Sequence, residues 1–206
     1  DLFNFNPWWE KDFDPHLHKR ERFLKLLRES LKKKEIIILT GLRRVGKSSI
    51  MKLLIQELCA TINPKKILYI SLDSIAIEHL QISELIREFR KLHNIKRDEK
   101  IYLLFDEATY RDNINIEIKN LYDSENVKLF ISSSSSSILK DKNALLTGRS
   151  KVIEVTPLNF FEYLEFKELA PKQSEHYLLE KYFEDFMLNG GMPEYVLTGN
   201  FEYLDN

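Results

Sequence analysis

Gly41-Leu42-Arg43-Arg44-Val45-Gly46-Lys47-Ser48 fits the pattern G-x-x-x-x-G-K-[ST], and Ser49 follows it. Residue types in this order suit a polyphosphate. The glycines let the backbone wrap so that successive N–H groups point inward, and a helix opening at the loop's end adds its positive pole. Lys47 is the residue to reach β- and γ-phosphates, and the Ser48 hydroxyl is the one to ligate Mg²⁺. Arg43 and Arg44 are either phosphate contacts or solvated charges. Further along, apolar Ile101-Tyr102-Leu103-Leu104-Phe105 runs into Asp106-Glu107. That arrangement delivers two carboxylates at the end of a buried strand. Asp106 is expected to hold Mg²⁺ through water and Glu107 to polarise an attacking water. A glutamate beside the metal-holding aspartate suits hydrolysis better than phosphoryl transfer to a small molecule. In the serine run Ser132 to Ser137, Ser132 or Ser134 is the candidate polar sensor for the water or the γ-phosphate. Arg149, after Gly148, is either a solvated loop residue or a finger that neutralises charge on a γ-phosphate.

These groups need a scaffold that brings loop ends together, and the apolar pattern supplies one. Ile36-Ile37-Ile38-Leu39, Ile67-Leu68-Tyr69-Ile70, Ile101 to Phe105, Val127 to Ile131 and Val152 to Val155 are short runs of the kind buried on both faces of a parallel sheet. Between them, Met51, Leu54, Ile55 and Leu58, then Ile82, Leu85, Ile86, Phe89 and Leu92, then Ile114, Ile118, Leu121 and Tyr122 recur at helical spacing. An earlier helix is predicted from about Pro15 to Lys33. The alternation predicts an α/β fold: a P-loop NTPase with a five-stranded parallel sheet flanked by helices. After Pro157 the pattern turns to aromatic-rich helix, expected to form a small helical lid. The expected organisation is therefore a core over 1–156, including an N-terminal helical segment, and a helical lid with the start of a further region over 157–206.

Composition sets bounds on function. Lys+Arg 31 against Asp+Glu 32 give a net charge of −1, with 43% hydrophobic and 31% charged residues. Disordered and fibrous classes are excluded. The balance offers no general support for a nucleic-acid partner, which would need a basic face. No uncharged apolar run reaches bilayer length. Cys59 is the single cysteine, so no internal disulfide forms and a reducing, cytoplasmic location is expected. His16, His18, His79, His93 and His176 share no spacing with Cys or carboxylates that resembles a metal site. No Asn-Lys-x-Asp occurs to read guanine, so ATP is the expected nucleotide.

With these elements in order, the sequence resembles the prokaryotic, largely archaeal, AAA+/STAND-like P-loop ATPases that carry an uncharacterised C-terminal domain. The resemblance rests on Asn6-Pro7-Trp8-Trp9, the loop from Thr40 to Ser49, Leu104-Phe105-Asp106-Glu107-Ala108, the serine-rich turn, and Leu146-Thr147-Gly148-Arg149. It continues through Thr156-Pro157-Leu158-Asn159-Phe160-Phe161-Glu162-Tyr163 and Gly190-Gly191-Met192-Pro193-Glu194. The family commonly has Thr-Gly-Ser-Ser where this chain has Ser132 to Ser135, and Gln where it has Thr109. The resemblance implies ATP and Mg²⁺ as cofactors and a longer gene product of which this chain is the ATPase part. It also implies that Arg149 acts on a neighbouring subunit's nucleotide, which would make the protein a homo-oligomer. The expected function is ATP hydrolysis coupled to a protein or nucleic-acid partner. The alternative is a nucleotide-dependent switch with little turnover.

Overall fold

The computed structural model describes residues 2–77, 79–111, 113–134, 146, 148–172 and 175–200. The five apolar runs become strands β1 (Ile36–Thr40), β2 (Ile67–Ser71), β3 (Ile101–Asp106), β4 (Val127–Ser133) and β5 (Ser150–Glu154). They pair in parallel in the order β2-β3-β4-β1-β5. Every residue of β1 and β4 is buried, as expected for central strands covered on both faces. β5 differs from the expectation. It starts at Ser150 rather than Val152, and Val152 is exposed while Ile153 is buried. Within β5 only Ile153 is buried, whereas β2, the other outer strand, is buried from Ile67 to Ile70.

The helices are α1 (Leu2–Phe5), α2 (Glu21–Ser30), α3 (Lys47–Cys59), α4 (Ile82–Leu92), α5 (Ile114–Ser124), α6 (Phe160–Phe166), α7 (His176–Asn189) and α8 (Pro193–Thr198). α2 is shorter than the predicted Pro15–Lys33. His16 has a left-handed φ of 49°, and its N–H donates to the Asp14 carboxylate at 2.9 Å, so a local turn replaces the first helical turns. α4 opens with a capping box between Gln81 and Glu84 and buries Ile82, Leu85, Ile86 and Phe89 on one face.

The chain divides into two compact units, residues 1–41 with 47–154, and residues 42–46 with 155–206. The second has its own apolar centre of Leu158, Tyr163, Phe166 and Val196, with Phe160, Leu164, Leu169 and Phe186 packed against it. Its sequence motifs have local physical roles. Asn159 caps α6, accepting from the Glu162 N–H at 2.9 Å while Glu162 accepts from the Asn159 N–H at 3.1 Å. The Gly191 carbonyl accepts from the Leu158 N–H at 2.7 Å, and a Cβ on Gly191 would lie 2.3 Å from the Leu158 carbonyl oxygen. Only glycine permits that approach.

Candidate nucleotide and metal site

In a parallel sheet the strand ends and the helix starts that follow them gather at one edge, where ligands bind in open α/β folds. Here that carboxyl edge carries Gly41 after β1, Asp106 and Glu107 at the end of β3, and Ser132 to Ser134 at the end of β4. Register aligns Thr40 with Ser133 on one side of β1 and with Glu154 on the other. Lys47 and Ser48 open α3, and Ser49 is its third residue. Lys47 is 4% exposed, and its Nζ donates to the Gly41 carbonyl at 3.0 Å, bridging the two ends of the loop. Arg44 has a left-handed φ of 63°, with Gly41 at 141° and Gly46 at 91°. A run of such values is what turns peptide N–H groups inward. Leu42, Arg43 and Arg44 are exposed.

Asp106 is 2% exposed. Burying a carboxylate is costly unless donors surround it, and three do. The Tyr69 hydroxyl donates to Oδ2 at 2.6 Å, the Ser132 hydroxyl donates to Oδ1, and the Glu107 N–H lies 3.2 Å from Oδ1. Burial first, and the Asp106 charge second, push the Tyr69 hydroxyl well above the ordinary tyrosine range, so it stays a donor. Ser132 also accepts from the Glu107 N–H at 3.0 Å. Its hydroxyl is thus engaged as donor and acceptor within the acidic turn. Ser134 makes the other attachment, 3.0 Å from both Glu107 carboxylate oxygens. The two candidate serines therefore hold different carboxylates. Ser135 to Ser137 lie outside the described residues.

Glu107 has φ 51° and ψ 46°, a left-handed conformation that costs a non-glycine residue energy. The conformation ends β3 abruptly and lets Asp106 and Glu107 diverge, one inward to Tyr69 and Ser132, the other to Ser134. The oxygen set of Ser48, Asp106 and Glu107 is of the hard kind that suits Mg²⁺. Among the described residues no three His, Cys, Asp or Glu side chains gather to form an all-protein metal cage. A metal using this edge would be completed by phosphate and water oxygens.

Arg149 is not with this group. It directly precedes β5, whose first residue aligns with Ile36 at the start of β1, and its carbonyl accepts from the Ile36 N–H at 2.8 Å. It stands at the amino edge, with Nε 3.4 Å from Asp123 on α5. Thr147, in the same motif, lies outside the described residues. Cys59 is half-buried, and burial pushes its thiol up to about 11. The sequence reading missed Tyr69. Its one signal was a hydroxyl-bearing aromatic in an otherwise aliphatic run.

Residues 33–164 match the AAA domain family. An uncharacterised protein of Methanocaldococcus jannaschii is 30% identical over 165 residues, covering 79% of this chain and 33% of that protein. This chain thus spans about a third of that relative's length. Among solved structures, a Walker-type ATPase of Pyrococcus abyssi superposes with a TM-score of 0.54 at 19% identity, covering 97% of this chain and 72% of that one. AMPPCP-bound DnaA of Aquifex aeolicus gives 0.51 at 16% identity, covering 91% of this chain and 64% of that one. At these identities the likeness to the solved structures is one of fold. No helix among the described residues is long and apolar enough to cross a membrane.

Proposed function

The chain belongs to the AAA domain family, an AAA-type P-loop ATPase module, and on that premise we propose that it binds ATP with Mg²⁺ and hydrolyses it to act on a partner. The observation that carries the reading is the carboxyl edge itself: a loop closed by Lys47, with a buried Asp106 and a separately oriented Glu107 on the strand that ends beside it. Gly41 to Ser49 would cradle the phosphates through backbone N–H groups, and Lys47 would exchange its Gly41 carbonyl for phosphate oxygens. Ser48 and, through water, Asp106 would hold Mg²⁺, which supplies charge neutralisation on the phosphates when bound. Glu107 would accept a proton from the attacking water, and Ser132 would fix the carboxylate beside it. AMPPCP in the DnaA structure is an ATP analogue, which agrees with the nucleotide proposed.

The test is steady-state phosphate release from ATP with Mg²⁺, comparing wild type with Glu107→Gln. Turnover should drop about a hundredfold, the usual size of a general-base effect, with nucleotide affinity retained. A Glu107→Gln rate equal to wild type would remove Glu107 from the chemistry. One observation favours a second reading: Ser134 holds both Glu107 oxygens, which restrains the base. A slow, switch-like module follows from that restraint, and Ser134→Ala would then raise the rate rather than lower it.

A further inference from the structure

β2 is an outer strand, so among the described residues one of its edges has no strand neighbour. Unpaired backbone groups on such an edge invite pairing with other chains and are normally covered. The cover here is made by three side chains of Asn6-Pro7-Trp8-Trp9. The Asn6 amide takes both backbone groups of one residue: the Tyr69 N–H donates to Oδ1 at 2.7 Å, and Nδ2 donates to the Tyr69 carbonyl at 3.0 Å. Trp8 Nε1 and Trp9 Nε1 both donate to the Ile67 carbonyl, at 3.2 and 2.9 Å. Asn6 is fully buried, and its Nδ2 also donates to the Leu2 carbonyl at 2.8 Å. Trp9 stacks on Phe89 of α4 with ring centroids 5.7 Å apart. An asparagine side chain thus stands where the peptide of a sixth strand would pair.

The residue clamped in this way is the one whose hydroxyl reaches Asp106. Tyr69 is buried, its peptide held by Asn6 and its phenol held against Oδ2. A carboxylate with donors on both oxygens cannot rotate about its Cβ–Cγ bond without breaking some of them. Ser132 and the Glu107 N–H hold Oδ1, and Tyr69 holds Oδ2.

We propose that Tyr69 is a positioning residue for the Asp106 carboxylate, and that the Asn6 clamp on the open edge of β2 keeps it in place. The N-terminal segment is then part of the support of the metal-facing carboxylate as well as an edge cover. This rests on the reading of Asp106 as the carboxylate that faces Mg²⁺. Partners that orient a direct metal ligand typically cost ~10–100-fold in metal affinity when removed, and a carboxylate that acts through water falls at the low end of that range. Tyr69→Phe removes one oxygen and keeps the ring.

The test is Mn²⁺ binding, followed by electron paramagnetic resonance, to the 206-residue chain saturated with a non-hydrolysable ATP analogue. Nucleotide affinity in EDTA is measured beside it. Tyr69→Phe should weaken Mn²⁺ binding about tenfold, leaving metal-free nucleotide affinity and the thermal midpoint near wild type. Asn6→Ala, at a temperature where circular dichroism matches wild type, should weaken Mn²⁺ similarly. The double variant should lose no more than the larger single, because both act on one contact. Unchanged Mn²⁺ affinity in Tyr69→Phe overturns the proposal, as does a parallel fall in metal-free nucleotide affinity. A loss in Tyr69→Phe without one in Asn6→Ala overturns the clamp. If wild type binds the analogue but takes up no Mn²⁺, the reading of Asp106 fails, and the proposal with it.

Discussion

Lys47 and Ser132 are each engaged within the site itself, and their removal has different consequences. Lys47 is buried and donates to the Gly41 carbonyl, a neutral acceptor. Phosphate oxygens are stronger acceptors for an ammonium, so exchange toward them is favourable. Lys47→Ala should therefore weaken ATP binding and abolish turnover while leaving the fold intact. Calorimetric titration showing unchanged affinity would refute the loop's assignment. Ser132→Ala should behave otherwise. It removes the donor to Asp106 Oδ1 and the acceptor for the Glu107 N–H, both buried or nearly so. The Glu107 N–H and Asp106 Oδ1 then keep only their 3.2 Å contact with each other, so the cost falls below the ~1–3 kcal/mol of a wholly unsatisfied buried group. The expected result is a lower urea midpoint and slower turnover with metal-free nucleotide affinity preserved. A stability equal to wild type would mean that water replaces the hydroxyl.

At the level of elements, β4 contains a fully buried lysine. Lys128 Nζ donates to the carbonyls of Glu35 at 2.7 Å and Lys33 at 3.1 Å, the segment that joins α2 to β1, and lies over the Phe130 ring. Two carbonyls and a ring face replace water, so the chain between helix and strand is tied down at the sheet's amino edge. The replacement is incomplete: burial pushes the lysine down to about 8 from an ordinary 10.5, against the pull of Glu35 and helped by Lys100, Lys151 and Lys33. Between those values the unfolded chain carries a proton that the folded chain has lost. Raising pH through the window therefore favours the fold, and below about 8 both states are protonated and the contribution is flat. Urea denaturation of wild type and Lys128→Met across that range should show wild type gaining stability relative to the variant as pH rises. A difference independent of pH would show that Lys128 titrates as it does in water.

Across the whole molecule, the sheet separates Arg149 from the carboxyl edge of its own chain. Five paired positions, Ile36 with Ser150 through Thr40 with Glu154, lie between it and the carboxyl edge, about 16 Å of strand at ~3.3 Å per residue. A guanidinium at the amino edge cannot serve a phosphate bound at the other end of the same sheet. If Arg149 is a finger, it acts on a neighbour, and activity then depends on assembly. Specific activity should rise with protein concentration, and Arg149→Ala should lose turnover with little loss of ATP affinity. Mixing Arg149→Ala with Lys47→Ala should restore part of the activity, since a mixed interface pairs an intact loop with an intact arginine. Phosphate release from the mixture, at or below the sum of the two variants at every concentration, would remove Arg149 from a neighbour's chemistry.

Local pattern alone determined the glycine-bracketed loop between strand and helix, the strands and the parallel sheet. Gly41 to Ser48 is a contiguous motif whose backbone demands are met by its own glycines and by the helix it opens. The apolar runs and the helical spacing between them report burial residue by residue, and a strand–helix alternation leaves little choice but parallel pairing. Asp106-Glu107 was legible as a pair for the same reason. What holds that pair was not. Tyr69 meets Asp106 across 37 residues, Ser132 meets it across 26, and Asn6 reaches Tyr69 across 63. No short-range preference distinguishes those residues from any other tyrosine, serine or asparagine. Which serine serves which carboxylate followed from the pleat and register of β4 against β3. That β5 would be an outer strand, with Val152 exposed, was not legible either. Only tertiary structure decides such matters, because strand order and register place side chains that the chain leaves far apart.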